Sequence, residues 1–243
     1  MVTAPPRDPI QAPGTREELW QAWPGLGQLP AADISSWSSA VIVAAHPDDE
    51  VLGAGGIMSV LAAAGARLRL VAITDGEASH PDAADPAALA RRRVAETARA
   101  LRALGAQQAE VIRLGLPDTG LAACEDKVTA RLGELTAGFD VCLAPWSRDV
   151  HADHEAAGRA ARQVSERTLS YPVWMWHWAV PGDPRVPWHQ ALRVSLPAAV
   201  GARKRAAIAC FTSQLESRGG GLGPVLSPGT IAHFTRDLEV LFR

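Results

Sequence analysis

Two short stretches of the 243-residue chain concentrate imidazoles and carboxylates: His46-Pro47-Asp48-Asp49-Glu50, and Asp149-x-His151-x-Asp153-His154. A hydrolytic zinc ion usually takes three protein ligands from His, Asp, Glu or Cys and leaves a position for water. His46, Asp49, His151 and His154 offer that set with one to spare. His46 and Asp49 are three apart across a turn, and His151 and His154 three apart at an expected helix start, so each pair can face one point. Two adjacent carboxylates cannot both do so easily. One aspartate of the Asp48-Asp49 pair then binds the ion while its neighbour points at the bound water as general base. A single His-x-x-His is commonly just a polar helix face, and a single Asp-Asp a helix cap. Their joint placement at strand ends of one sheet is what points to a metal-dependent site.

The elements that must position these residues are legible as alternation. The apolar run Ala40 to Ala45 reads as a strand buried on both faces, and Val51 to Ala64 has apolar residues at helical spacing, closed by Gly65. Arg67 to Ile73 is a second strand ending at Thr74-Asp75-Gly76. The pattern repeats with a helix over Pro86 to Gly105, a strand over Glu110 to Leu114, a helix over Glu125 to Ala137 and a strand over Asp140 to Ala144. It predicts an α/β fold: a Rossmann-like, doubly wound, mainly parallel sheet with helices on both faces. Past a helix over Glu155 to Arg167, the stretches Tyr171 to Ala179 and Gln190 to Leu196 read as strands that pair antiparallel at a sheet edge. Helices over Pro197 to Phe211 and Thr230 to Phe242 complete the chain, with a glycine-rich loop, Arg218 to Pro228, between them.

In an open α/β sheet ligands bind beyond the carboxyl ends of the strands. There the four expected strands deliver His46-Pro47-Asp48-Asp49, Thr74-Asp75-Gly76, Leu116-Pro117-Asp118 and the 146–154 cluster. Composition excludes some partners. A net charge of -2 with 21% charged residues argues against nucleic acid or an acidic membrane surface, and no apolar run approaches a membrane span. Three widely spaced cysteines without a Cys-x-x-Cys pair, and no signal-peptide pattern, predict a cytoplasmic protein. Residues 1–36 read as an arm, proline-rich over Met1 to Gln11, followed by a short helix capped at Thr15 and anchored by Trp20 and Trp23. Residues 37–243 read as a single α/β domain.

Ala45-His46-Pro47-Asp48-Asp49-Glu50 with Gly53-x-Gly55-Gly56 resembles the opening motif of the PIG-L/LmbE-like de-N-acetylases, zinc-dependent enzymes that remove acetyl groups from N-acetylglucosaminyl compounds and related amides. Similar residues follow in the same order: Thr74-Asp75-Gly76, Arg93-x-x-Glu96 with Leu104-Gly105, Leu116-Pro117-Asp118, His151-x-x-His154, and Lys204-x-x-Ala207 leading to Ser213-Gln214. The resemblance implies that His46, Asp49 and His154 ligate zinc and that Asp48 is the general base. His151 would then stabilise the oxyanion or protonate the leaving amine, and Arg93 and Asp118 would contact substrate. Other divalent transition metals such as Fe2+ suit the same donors. Read by itself, Arg93 belongs to a run of three arginines on a solvated helix face, and Asp118 to a turn or cap.

The function expected is hydrolysis of an N-acetyl group from a small amide, an N-acetylglucosaminyl-type amino sugar or conjugate. A thiol-conjugate amidase would use the same residues, and a non-catalytic Rossmann-like sugar or nucleotide binder is the alternative of another class. A homo-oligomer is left open. Trp174 to Trp178, read as a strand, puts three tryptophans on one side, for packing or an interface more than for sugar stacking. The Gly219 to Gly223 loop lacks the strand and helix start of a phosphate cradle, and reads as a mobile loop bordering the pocket. Glycines 53–56 follow three carboxylates that would repel a pyrophosphate.

Overall fold

The computed structural model describes residues 9, 10 and 12–243, so the proline-rich arm expected over Met1 to Gln11 lies almost wholly outside the described residues. Two short helices, α1 (Glu17–Gln21) and α2 (Gly25–Gln28), precede β1 (Ser39–Ala44). The alternation then runs α3 (Asp49–Ala63), β2 (Arg67–Ala72), α4 (Pro86–Leu104), β3 (Glu110–Arg113), α5 (Glu125–Thr136), β4 (Val141–Pro145), α6 (Ala152–Val164) and β5 (Thr168–Tyr171). The chain ends with α7 (Met175–Trp178), β6 (Ala191–Ser195), α8 (Ala198–Ile208), α9 (Thr212–Leu215), α10 (Pro228–Ala232) and β7 (Leu238–Phe242).

The seven strands lie in the order β3-β2-β1-β4-β5-β7-β6, parallel from β3 to β5 and antiparallel at β7 and β6. β1 is central and buried throughout, which explains its unbroken apolar run. Its alternate side chains face opposite layers. Ala40, Ile42 and Ala44 pack with Ile57 of α3, Leu104 of α4 and Ile208 of α8, while Val41, Val43 and Ala45 pack with Leu132 of α5 and Ala157 of α6. Each large apolar side chain fully buried in this way contributes about 1.5–3 kcal/mol. The strand order reverses between β1 and β4, and that switch point is where an open sheet leaves a crevice for ligand.

Local chemistry fixes the long helices. Asp85 caps α4 by accepting from the Ala88 N–H at 2.9 Å, Pro86 supplies the first turn, and Gly105 closes it in the left-handed conformation (φ 78°). In α3, a Cβ on Gly53 would sit 2.0 Å from the Tyr171 ring, so glycine lets this helix lie against β5. The Tyr171 hydroxyl donates to the Val43 carbonyl at 2.6 Å. Gly53, and Gly56 against Leu196, therefore serve close packing.

The antiparallel edge forms from other partners than expected. β5 ends at Tyr171, and residues 175–178 are helix, not strand. Pro172 lacks an N–H, and the next three N–H groups, of Val173, Trp174 and Met175, donate to the Asp149 carboxylate instead of a strand ladder. The tryptophans consequently do not share one strand face. Residues 238–242, expected as helix, form β7 between β5 and β6, because an apolar run this short fits a buried strand as well as a helix.

Thr15 does not cap α1. Its hydroxyl donates to the Ala179 carbonyl at 2.6 Å and its N–H to the His177 carbonyl, and Arg16 takes the cap position. Trp20 is fully buried, with its indole N–H on the Trp176 carbonyl at 3.0 Å and its ring edge-on to Trp23 and Trp176. Farther along, Ala31 pairs with Arg193 and covers the outer edge of β6. Among the described residues no helix is long and apolar enough to cross a membrane.

Candidate metal centre

β1 ends at the rim, and the chain turns through His46 and Pro47 into α3. Asp49 folds back to accept the His46 N–H at 2.8 Å, which sets its carboxylate beside the imidazole. β4 delivers the second cluster, with His151 at the N-cap of α6 and His154 one turn inside it. The two clusters meet. His46 Nδ1 lies 3.5 Å from Asp49 Oδ2, His154 Nε2 lies 3.2 Å from Asp49 Oδ1, and the two ring nitrogens are 3.3 Å apart. His151 completes a second grouping with both histidines, its ring centroid 4.7 Å from each.

The far nitrogen of each imidazole is also held. His46 Nε2 lies 3.2 Å from both Asp118 Oδ1 and Asp153 Oδ2, and His154 Nδ1 lies 2.7 Å from Asp149 Oδ2. A carboxylate on one ring nitrogen fixes the tautomer that presents the other nitrogen's lone pair to a metal. These carboxylates are themselves anchored: Asp153 by the N–H groups of Thr119 and Leu121, Asp118 by that of Ala78. Asp149 and Asp153, to which sequence reasoning gave no role, are thus part of the site. Their signal was position, two carboxylates interleaved with His151-x-x-His154.

Burial governs the charges. It lowers His46, yet Asp118, Asp153 and Asp49 outweigh it and carry the ring well above an ordinary imidazole. It likewise lowers His154, which Asp49 and Asp149 raise to about 9, while the His154 and His46 rings hold Asp49 well below the usual carboxylate range. Four carboxylates converging on two imidazoles make a centre that demands positive charge. Nitrogen and carboxylate oxygen donors of this kind suit a divalent transition metal.

Asp48 stands beside this centre with its backbone at φ 131°, where L-residues are strained. Burial pushes its carboxyl up to about 7, although Arg93 pulls it down. Arg93 is buried and not on a solvated face: it donates to the Gly76 carbonyl at 2.9 Å, the Pro47 carbonyl at 2.7 Å and Asp48 Oδ2 at 3.3 Å. A Cβ on Gly76 would lie 1.9 Å from that guanidinium, so the turn after β2 requires glycine both for space and for its φ of 69°. His151 is pushed down to about 3 by burial and by the neighbouring His154 and His46 rings, and its Nδ1 accepts the Asp153 N–H at 3.3 Å.

Residues 41–165 match the family described as PIG-L: GlcNAc-PI de-N-acetylase. The chain belongs to this family. Among PIG-L relatives, the 1D-myo-inositol 2-acetamido-2-deoxy-alpha-D-glucopyranoside deacetylase of Kineococcus radiotolerans is 36% identical over 135 residues, covering 52% of this chain and 35% of that protein. The match thus spans about a third of that relative's length. The conserved protein TT1542 from Thermus thermophilus superposes with a TM-score of 0.57 at 28% identity, covering 81% of this chain and 84% of that one. The N,N'-diacetylchitobiose deacetylase from Pyrococcus horikoshii shares the fold, with a TM-score of 0.59 at 20% identity over 84% and 81% of the two chains.

The PIG-L centre opens into a cavity of about 420 Å³. Asp48, Asp49, His46, His151, His154, Arg93 and Asp118 all line it, so the seven residues to which the resemblance gives ligand, catalytic or substrate roles reach one space. Gln214 of the Ser213-Gln214 motif lines it too, as do Trp174, His177 and Arg218, to which the sequence gave no catalytic role.

Proposed function

We propose that this protein is a metal-dependent hydrolase that removes the acetyl group from an N-acetylglucosaminyl-type amine. The observation that carries the reading is the approach of His46 Nδ1, the Asp49 carboxylate and His154 Nε2 to within 3.5 Å of one another at a cavity wall that also bears Asp48. These three residues would hold the ion, with zinc the metal their chemistry suits best. When bound, it supplies a Lewis acid that polarises the amide carbonyl and acidifies water.

The chain's own groups account for the proton movements. Asp48 accepts the proton of the attacking water, and a carboxyl pushed up to about 7 is well matched to that task near neutral pH. Arg93 holds the carboxylate in place from the side. His151 accepts at Nδ1, so its proton resides on Nε2, and its depressed basicity keeps the ring neutral. A neutral N–H donor of this kind supports oxyanion stabilisation over proton delivery. The amide C–N bond then breaks, the proton held by Asp48 passes to the departing nitrogen, and acetate and a free amine leave.

Asp118 holds the His46 ring in this reading and can also meet substrate from the cavity wall. Residues 37–243 act as one catalytic domain, and the three unpaired cysteines support a cytoplasmic location. The reading is tested by loading purified protein with one equivalent of zinc and measuring acetate and amine release from N-acetylglucosamine derivatives. No release, or release that survives Asp48→Asn, overturns it.

A further inference from the structure

We infer that the group joined to the acetylated sugar is apolar, an aryl or alkyl aglycone and not a polyol, and that Ile10, Trp174 and residues 224–226 select it. The inference rests on the deacetylase reading and concerns the part of the same cavity that the catalytic loops do not build. There the apolar part of the lining comes from Ile10, Trp174, Pro224, Val225 and Leu226, all outside the residues that match the family.

The wall is anchored to the centre. The Trp174 N–H donates at 2.9 Å to the Asp149 carboxylate that holds His154, and the Trp174 ring meets His177 edge-on at 6.0 Å. His177 Nε2 lies 2.8 Å from the Ala12 carbonyl, which brings the segment bearing Ile10 to this side. On the other side, the Leu226 N–H donates to the Gln214 carbonyl, and Gln214 also lines the cavity.

Several polar atoms of this wall are already engaged. Ser227 and Thr230 hydroxyls bond each other at 2.9 Å, His177 is committed to Ala12, and Arg218 Nε donates to the Gly223 carbonyl at 2.9 Å. Gln214 Oε1 is buried without a partner among the described residues, one acceptor for a substrate hydroxyl or N–H. A polyol pressed against this surface would exchange water for apolar carbon at most of its hydroxyls, which disfavours binding. An aryl or alkyl group would bury carbon against carbon and offer its π-face or chain to the Trp174 indole. The volume of about 420 Å³ has room for more than an acetamido group and lies within the range of small-ligand pockets.

The test compares a phenyl and a myo-inositol glycoside of N-acetylglucosamine on the full chain loaded with zinc. The phenyl glycoside should have a kcat/KM at least tenfold higher, carried by KM. Trp174→Ala and Val225→Asp should each reduce that preference about tenfold, Val225→Asp being the variant on a loop that spares the core. Calorimetric titration of the metal-free protein with the two deacetylated glycosides reads the same preference without turnover. Equal or reversed preference in both measurements overturns the inference. Absence of amine release with tighter phenyl glycoside binding would sink the deacetylase reading and leave the apolar wall standing.

Discussion

The cavity has two kinds of wall, and their backbones differ. The loops after β1, β3 and β4 hold Asp48, Thr119 and Val150 at φ 131°, 64° and 74°, and these are the non-glycine residues with positive φ among the described residues. Across the cavity, the loop leading to residues 224–226 takes its positive φ values at Gly219, Gly220 and Gly221. Strain at a β-branched residue such as Val150 persists only where the surroundings over-determine the conformation. Asp149 and His151 on either side of it are both fixed in the network around the centre. Glycine adopts such angles freely and asks for no support. The catalytic wall thus gives up stability for fixed geometry, while the loop leading to residues 224–226 takes the same backbone angles at glycines, without strain.

Substitutions that strike the catalytic wall should abolish turnover on every substrate alike. Asp48→Asn removes the general base and should lower kcat by about 10²–10⁴-fold, with zinc content by atomic absorption unchanged. The pH profile follows from the same group. Asp48 must be ionised to accept a proton, so kcat/KM should fall as pH drops through its pKa, pushed up to about 7. A bound cation moves that limb lower, never higher, and an acidic limb well above pH 7 would reassign it to another group.

Next in size come the residues that hold the ligands. His154→Ala should weaken zinc binding far more than His151→Ala, as read by competition with a chelator. Asp149→Asn leaves every ligand in place but loosens the His154 ring, and should cost about 10–100-fold in zinc affinity. Equal losses at His151 and His154 would show that the ion sits in the three-histidine grouping.

A buried ion pair fastens α3 to α8 and β7. Lys204 Nζ donates to the Leu52 carbonyl at 2.8 Å and to Glu239 Oε1 at 2.6 Å, and Glu239 accepts the Gly56 and Ile57 N–H groups at 2.7 and 2.9 Å. Side chains from α8 and β7 thereby reach into the backbone of α3, whose first turn carries Asp49. Removing one partner leaves a buried charge uncompensated, so Lys204→Met should cost about 3–5 kcal/mol in denaturant unfolding. A value below about 1 kcal/mol would mean that the pair is relaxed by solvent and that α3 is held to α8 and β7 by packing alone.

The catalytic wall was also the part legible in the sequence. An unbroken apolar run into His46-Pro47-Asp48-Asp49 identifies both the central strand and its cargo, because Ala40 to Ala45 is short and β-branched in its middle and stops at a proline, as a strand buried on both faces does. The ring-holding carboxylates were visible without their roles, since Asp149 and Asp153 could equally have been ligands, caps or solvated residues. Residues 174–178 were misread because strand propensity is local, whereas the Asp149 carboxylate that captures their N–H groups is far away in sequence. Residues 238–242 carry no periodicity that separates strand from helix. Arg93 looked like one of three equivalent arginines until helix α4 turned it alone toward the Gly76 turn.

The smallest expected effect concerns the N-terminal segment that carries Ile10 to the apolar wall. Glu17 on α1 lies 2.7 Å from His233 Nδ1 and accepts from Arg236, fastening this segment to the C-terminal part of the chain. Burial raises the Glu17 carboxyl, but the bonds to His233 and Arg236 outweigh it and hold the pKa below the ordinary 4.5. A carboxyl held low in the folded state adds stability that is fully present above its unfolded value and disappears as pH falls through the folded one. Glu17→Gln should therefore cost about 1–3 kcal/mol near pH 7, and the gap to the unsubstituted protein should narrow as pH is lowered from 4.5. Urea midpoints of both proteins from neutral pH down through that value check this. If the gap stays constant on acidification, the tryptophan cluster around Trp20 holds the segment, and the ion pair only decorates it.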